Sequence, residues 1–445
     1  MRRIILMMVA AVTVLTSSIP VKVACIGDSI TYGACIEDRE NDSYPSVLQG
    51  LLGNDYEVRN FGFSARTMLD KGDYPYMNEK MYQEVKEYLP DIITIMLGTN
   101  DSKPHNWAHK DDFYNDYVRM VRELQSLVTH PRIYVCLPPA VVKDNFGITE
   151  NVVLNEVTPL VRKVAADRWL DIIDTRTPTE GRADLYTKDG VHPAPAGASV
   201  IAHAIYDGLS LRGDTGKPGK RVLFIGDSIT DDDWGKKDGW EVHKRQHYDM
   251  NHIYGHGYVL DIAQYYMTKY PERKYQFYNR GISGNQMRNL VERWDNDVTP
   301  MHPDVLTVFI GINDSHAADI TIDSFDFEGW EKSYRSLIGK AKAANPDVRI
   351  LMAKPFIQNI GAQNINGHYQ RRIPIVQRMG EIIDKIAADC GCVVLDFDRI
   401  IGDAIAADKS GDAKYWCWDG IHPTMAGHKI MADHWVRKAK KAKIM

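Results

Sequence analysis

The sequence predicts two tandem three-layer α/β/α domains, each built on a five-stranded parallel sheet. Three observations lead there. Short apolar runs alternate with helix-length amphipathic segments, the pattern of a parallel sheet covered on both faces. One hexapeptide, Ile26-Gly27-Asp28-Ser29-Ile30-Thr31, returns as Ile225-Gly226-Asp227-Ser228-Ile229-Thr230. The whole strand–helix series restarts at that second copy, with a period too long for a solenoid.

In the first half, strands are expected at 21–26, 57–63, 91–97, 133–137 and 170–173. Val21-Lys22-Val23-Ala24-Cys25 is a buried strand that Gly27 stops, and residues 91–97 are apolar almost throughout. Helices are expected at 43–52, 77–89, 113–129, 151–168 and 196–209, where apolar residues recur at helical spacing. Residues 212–220 carry Gly, Pro and charge without an apolar side chain and read as a linker. The chain therefore divides into a first domain at 21–210, a linker at 211–220 and a second domain at 221–445. The linker is short, so the halves should touch. In the second half, strands are expected at 222–225, 276–278, 305–310, 350–353 and 393–396, and helices at 259–269, 287–297, 331–344, 374–388 and 425–443.

At 445 residues the chain is too long for one core, and its 44% hydrophobic and 25% charged residues are ordinary globular composition. The net charge of −5 comes with no long basic run beyond a solvated helix end near residue 440, which argues against nucleic acid as a partner. Arg2-Arg3 precede an apolar stretch at 4–15 and the small residues Thr16-Ser17-Ser18. The stretch is too short to span a bilayer and has the layout of a secretory signal peptide. Residues 1–20 are thus expected to be a leader, and the protein secreted or periplasmic. No further membrane span is visible. The six cysteines fall three per half and define no disulfide framework, although Cys417 could pair with Cys390 or Cys392.

The candidate chemistry follows the strand ends. Ser29 and Ser228 each stand just past the carboxyl end of the first strand of a half, where open α/β sheets bind ligands. Gly98-Thr99-Asn100-Asp101 and Gly311-Ile312-Asn313-Asp314 follow the third strands. In a flavodoxin-like strand order, 2-1-3-4-5, Asn100 and Asn313 lie beside the serines and could donate to an oxyanion. Asp189-Gly190-Val191-His192-Pro193 recurs as Asp419-Gly420-Ile421-His422-Pro423. A carboxylate three residues before a histidine can hold the tautomer that takes a proton from serine.

These four ordered motifs, present twice, resemble those of the SGNH (GDSL) hydrolase superfamily. The fourth is the small-residue loop after the second strand, Asn60-Phe61-Gly62-Phe63-Ser64-Ala65 and Asn279-Arg280-Gly281-Ile282-Ser283-Gly284. The resemblance covers both halves and implies a serine esterase with a site in each. It makes Ser29 and Ser228 the nucleophiles, His192 and His422 the bases, and Asp189 and Asp419 their orienting carboxylates. Oxyanion donors would be the serine N–H, the Ala65 or Gly284 N–H, and the Asn100 or Asn313 amide. One departure stands out: Ala65 occupies a position where the family has glycine, and alanine resists positive φ. No cofactor or metal is implied. His105 and His109, and His252 and His256, stand four apart but lack the Glu of a zinc-peptidase motif.

A secreted tandem chain of this type resembles bacterial carbohydrate O-acetylesterases acting on plant polysaccharides, which makes an acetylated carbohydrate the expected partner. Tyr74 and Trp107 in site one, and Trp234, Trp240 and Trp418 in site two, are candidates to stack on sugar rings. Tyr76 near site one, and Tyr254, Trp294 and Trp416 near site two, could stack in the same way. Other readings are a broad esterase or lysophospholipase, or one half retired to glycan binding. The oligomeric state is not legible.

Overall fold

The computed structural model describes residues 19–216, 219–232 and 253–445. Most of the expected leader lies outside them, as do Trp234, Trp240 and His252. The first sheet is β1 (Val21–Gly27), β2 (Tyr56–Gly62), β3 (Ile92–Met96), β4 (Arg132–Cys136) and β5 (Asp171–Ile173), in the order β2-β1-β3-β4-β5. The second is β6 (Arg221–Gly226), β7 (Gln276–Gly281), β8 (Val305–Phe309), β9 (Arg349–Ala353) and β10 (Val393–Leu395), in the order β10-β9-β8-β6-β7. These are one topology read in opposite directions. All the strand pairs are parallel. The chain is thus two tandem α/β domains.

The alternation along β1 explains the layering. Ala24 and Ile26 face a core closed by the helices Lys80–Tyr88, Lys110–Gln125 and Thr158–Asp167. Val23 and Cys25 face the opposite core, under Tyr44–Leu52 and Pro195–Leu211. In the second half Phe224 packs with Tyr258–Lys269, Phe397–Ala407 and Met425–Lys441, while Leu223 and Ile225 pack with Met287–Asp297, Phe327–Ala344 and His368–Cys390. Burying successive residues on opposite faces requires apolar side chains at nearly every strand position.

Two elements depart from the sequence reading. Pro374 was expected to open a helix, but the helix starts earlier, at His368, and carries the proline inside it. Arg371 donates to the carbonyls of Ala317 and Ile320, and the buried Arg372 donates to the Ile312 carbonyl and Gln363. Those long-range bonds hold the added turns. The helix Phe397–Ala407 was not anticipated; Asp396 caps it by accepting from the Arg399 N–H, and Phe397 and Ile401 bury its apolar side. The cysteine pairing left open by the sequence does not form. Cys417 lies in the core on one face of the second sheet, whereas Cys390 and Cys392 pack on the other.

The halves touch through the amino ends of strands. Asp214, in the expected linker, is completely buried. Its carboxylate lies 2.6 Å from Arg132 Nε, accepts from Tyr134 Oη at 2.6 Å, and accepts from Gln276 of the second half. Nearby, Trp169 Nε1 donates to Asp297 Oδ1 at 2.7 Å, and the Arg280 guanidinium lies 4.3 Å from the Trp169 ring. A buried cation stripped of its carboxylate partner is costly. Asp214→Ala should therefore destabilise the chain by about 3–5 kcal/mol in chemical denaturation. A loss under about 1 kcal/mol, the range of a surface pair, would contradict this reading of the interface.

Candidate active site

Each serine is delivered by the carboxyl end of a central strand. Gly27 and Gly226 end β1 and β6, where a Cβ would lie 2.8 Å from the Met96 carbonyl or 2.4 Å from the Phe309 carbonyl. Any larger residue would push the serine turn off the sheet. Asp28 and Asp227 then cap the short helices Ser29–Tyr32 and Ser228–Asp231, accepting from the N–H groups of Ile30 and Ile229. Burial pushes Asp28 up to about 6, against the opposing pull of the Ile30 N–H, His192 and Asn100.

The histidine comes from a loop closed on itself. In site one the Thr187 N–H donates to the His192 carbonyl, and Tyr186 bridges Pro193. In site two Trp418 and His422, and Cys417 and Pro423, make the same closure. Gly190 and Gly420, at φ 74° and 99°, allow the turn inside each loop. His192 Nε2 lies 2.9 Å from Ser29 Oγ, and its Nδ1 lies 2.8 Å from Asp189 Oδ2. The corresponding distances in site two are 2.8 Å from His422 Nε2 to Ser228 Oγ and 2.7 Å from Nδ1 to Asp419 Oδ2. With Nδ1–H donating to the carboxylate, Nε2 is left as an acceptor facing the hydroxyl.

The second oxygen of each carboxylate is equally occupied. Asp189 Oδ1 accepts from the N–H groups of Val191 and His192 at 2.8 and 2.9 Å, and Asp419 Oδ1 from Ile421 and His422 at 3.0 and 2.8 Å. Burial alone would raise Asp189, but these N–H groups and the imidazole outweigh it and carry the carboxyl down to about 2. Asp419 is lowered by the same balance. Burial pulls His422 down, yet its bond to the Asp419 carboxylate prevails and the net shift is upward.

The loop after the second strand is pinned beside the serine. The N–H groups of Phe63 and Ile282 donate to the carbonyls of Gly27 and Gly226 at 3.0 and 3.1 Å. Gly284 has φ 81°, and Ala65 adopts the same left-handed conformation at 69°. A Cβ on Gly284 would meet nothing within 4 Å. The space is there, so alanine keeps the backbone direction at the cost of local strain, about 1–2 kcal/mol. Asn100 donates to Asp28 Oδ2 at 3.2 Å, whereas Asn313 donates to the Asn285 carbonyl at 3.1 Å. Each amide retains a second N–H.

Several supporting residues were not foreseen. Asp101 accepts from the N–H groups of Met68 and Leu69 at 3.0 and 2.7 Å, and Asp314 from Met287 at 3.1 Å. The acid of each Asn-Asp pair thus tethers the segment following the Ala65 or Gly284 turn. Asp231 Oδ2 accepts from both Ser283 N–H and Oγ, at 2.8 and 2.6 Å, next to Gly284. Tyr32 stands at the equivalent place in site one. Phe146 is 57% exposed and its ring lies 5.8 Å from that of His192. It comes from a loop far away in sequence, so no local signal marks it.

The aromatic candidates separate. Trp107 is only 8% exposed, packs edge-on against Phe113 and donates Nε1 to Glu156 at 2.8 Å. It is a core residue, a correction to its expected place on the sugar-binding surface. Tyr76, Tyr254 and Trp294 are buried, and Trp416 donates to Asp408. Tyr74 is 50% exposed and lies 5.2 Å from Arg66, the residue after Ala65. Trp418 is 58% exposed and stacks near-parallel to His422, with ring centroids 5.8 Å apart. His105 lies 3.1 Å from Asp73.

A hydroxyl, an imidazole base and an orienting carboxylate, ringed by N–H donors, can carry out nucleophilic acyl transfer. The chain belongs to the GDSL-like lipase/acylhydrolase family, whose model matches residues 25–200 and again 224–430. Membership places it among the carboxylic ester hydrolases. An acetylxylan esterase of Xylanibacter ruminicola is 39% identical over 202 residues, a match spanning 42% of this chain and 42% of that protein. An acetylxylan esterase of Geobacillus stearothermophilus is 30% identical over 228 residues, spanning 49% of this chain and 94% of that protein. A solved structure of an acetylxylan esterase from Geobacillus stearothermophilus covers 50% of this chain and 94% of its own, at 27% identity and a TM-score of 0.39.

The His422 shift gives a pH expectation. A protonated imidazole cannot accept the serine proton. A raised pKa means that protonation, and with it the loss of activity, sets in at higher pH. In a chain carrying Ser29→Ala, the acid limb of kcat/KM should have its midpoint above the ordinary histidine value of about 6.5. A midpoint below about 6, or a flat profile, would contradict the Asp419–His422 coupling.

Proposed function

We propose that this protein is a carbohydrate O-acetylesterase with one active site in each half. The observation that carries the reading is the hydrogen-bonded chain from Ser to His to Asp, made twice with the same geometry. The acetylxylan esterases among its relatives support acetyl groups on a polysaccharide as substrate. The basic, apolar and small residues of the first eighteen positions support export to where such polymers are met.

In the proposed reaction, Ser29 or Ser228 Oγ attacks the acetyl carbonyl while its proton passes to Nε2 of His192 or His422. The oxyanion is held by the serine N–H, the Ala65 or Gly284 N–H, and the free amide N–H of Asn100 or Asn313. Collapse expels the sugar alkoxide, which takes the imidazole proton. Water then attacks the acetyl-enzyme with the same base, releasing acetate and restoring the serine. Asp189 and Asp419 stay ionised and orient the imidazolium.

The two pockets are proposed to differ in substrate. Trp418 gives site two an exposed face on which a sugar ring can stack. Lys188 holds the same place before Asp189 in site one. The stretch from Asp231 to Tyr258, rich in Trp, His and Tyr, has a plainer, acidic counterpart after Ser29. Loops at strand carboxyl ends build pocket walls.

Acetate release from a panel of acetylated glycans tests this reading. Ser29→Ala and Ser228→Ala should each lose part of the activity, with different substrate profiles, and the double variant should lose all but background. Equal loss across the same substrates would show redundant sites. Within a Ser228→Ala chain, Ala65→Val should cut kcat/KM by about a hundred- to a thousand-fold, because a β-branched residue resists positive φ and displaces one oxyanion donor. Ala65→Gly, which keeps the conformation, should change it less than about threefold. A large gain with glycine would mean that Ala65 misplaces its N–H.

A further inference from the structure

We propose that Cys35, Asp189 and His192 form a binding site for a thiophilic divalent cation of the zinc type, and that its occupation silences site one while site two continues. The inference rests on the esterase reading for its consequence, although not for the binding itself.

Cys35 is exposed and lies on the turn after the Ser29–Tyr32 helix, held by the Ala34 N–H donating to the Ser29 carbonyl at 2.9 Å. Its Sγ is 3.9 Å from Asp189 Oδ2, the oxygen that His192 Nδ1 meets at 2.8 Å. The three ligand atoms all lie within 4.8 Å of one another. Tetrahedral zinc bonds sulfur at about 2.3 Å and nitrogen or oxygen at about 2.0 Å, which sets sulfur–oxygen and nitrogen–oxygen separations of about 3.5 and 3.3 Å. The sulfur–oxygen and nitrogen–oxygen pairs would each shift by about half an ångström, and the sulfur–nitrogen pair, which lies within 4.8 Å, by at most about 1.3 Å. Thiolate, imidazole and carboxylate are a zinc ligand set, with water to complete the tetrahedron. The thiol proton leaves to solvent on binding.

Occupation would remove the base by a tautomer change. A cation on Nδ1 displaces that proton and leaves the imidazole protonated at Nε2, the atom facing Ser29 Oγ. An Nε2–H cannot accept the serine proton. In sequence, the position six residues past Ser29 is Cys35, whereas six past Ser228 stands Trp234, whose indole supplies no ligand. Among the described residues the Cys35 group is the one cluster of this kind.

The test uses the full chain and zinc chloride. Equilibrium dialysis of a Ser29→Ala protein should find zinc bound, with affinity at least about tenfold weaker once Cys35→Ala is added. Cys35→Ser should also weaken it, and an unchanged melting temperature for both shows that the fold survives. Ester hydrolysis by the Ser228→Ala protein should fall with zinc, return with EDTA and become at least about tenfold less sensitive with Cys35→Ala. The Ser29→Ala protein should keep its activity over the same range. Zinc affinity indifferent to Cys35, or equal inhibition of both serine variants, overturns the proposal. Absence of hydrolysis by either variant would sink the esterase reading alone, because dialysis still decides the binding.

Discussion

Each half turns on one hydrogen bond, from an imidazole Nδ1 to a carboxylate three residues earlier in the chain. It sets the tautomer, and the tautomer decides whether Nε2 can face the serine as an acceptor. Much of the surrounding structure secures this bond. The loop carrying both partners is closed by a backbone bridge, and the second carboxylate oxygen is filled by two N–H groups of the same loop. The sheet then only has to bring the end of its central strand to within 3 Å of that ring. A local motif supplies the electrostatics and a long-range fold supplies the encounter.

The duplication places two such centres on one body. The halves meet at the amino ends of β4 and β5 against β6 and β7, around Asp214. The serines stand at carboxyl ends, away from the Asp214 cluster, while Arg280 near the carboxyl end of β7 also meets Trp169 of the first half. The loops around the two sites differ in sequence. The lysine-for-tryptophan difference beside Asp189 and Asp419 is divergence of this kind.

The fold was largely legible because strands buried on both faces admit few polar residues, and glycine marks where they stop. The catalytic candidates were legible because their chemistry demands particular side chains in a fixed order. What escaped depended on distant parts of the chain. The early start of the helix at His368 rests on Arg371 and Arg372 reaching other loops. The burial of Trp107 depends on Phe113 and Glu156, and the nearness of Phe146 to His192 on the packing of two loops. Spacing could not say that Ala65 would take a left-handed conformation; the matching Gly284 hinted at it, and the tethers from Asp101 to Met68 and Leu69 help hold the loop.

The central claim is that two separate serines are activated, each by its own histidine. Covalent labelling reads this directly. A fluorophosphonate applied to the unmodified chain at neutral pH should react to two equivalents, with peptide mass spectrometry finding the adducts on Ser29 and Ser228. His192→Ala should abolish the first adduct alone, and His422→Ala the second alone. A single adduct, or labelling of Ser29 that survives His192→Ala unchanged, would contradict the account.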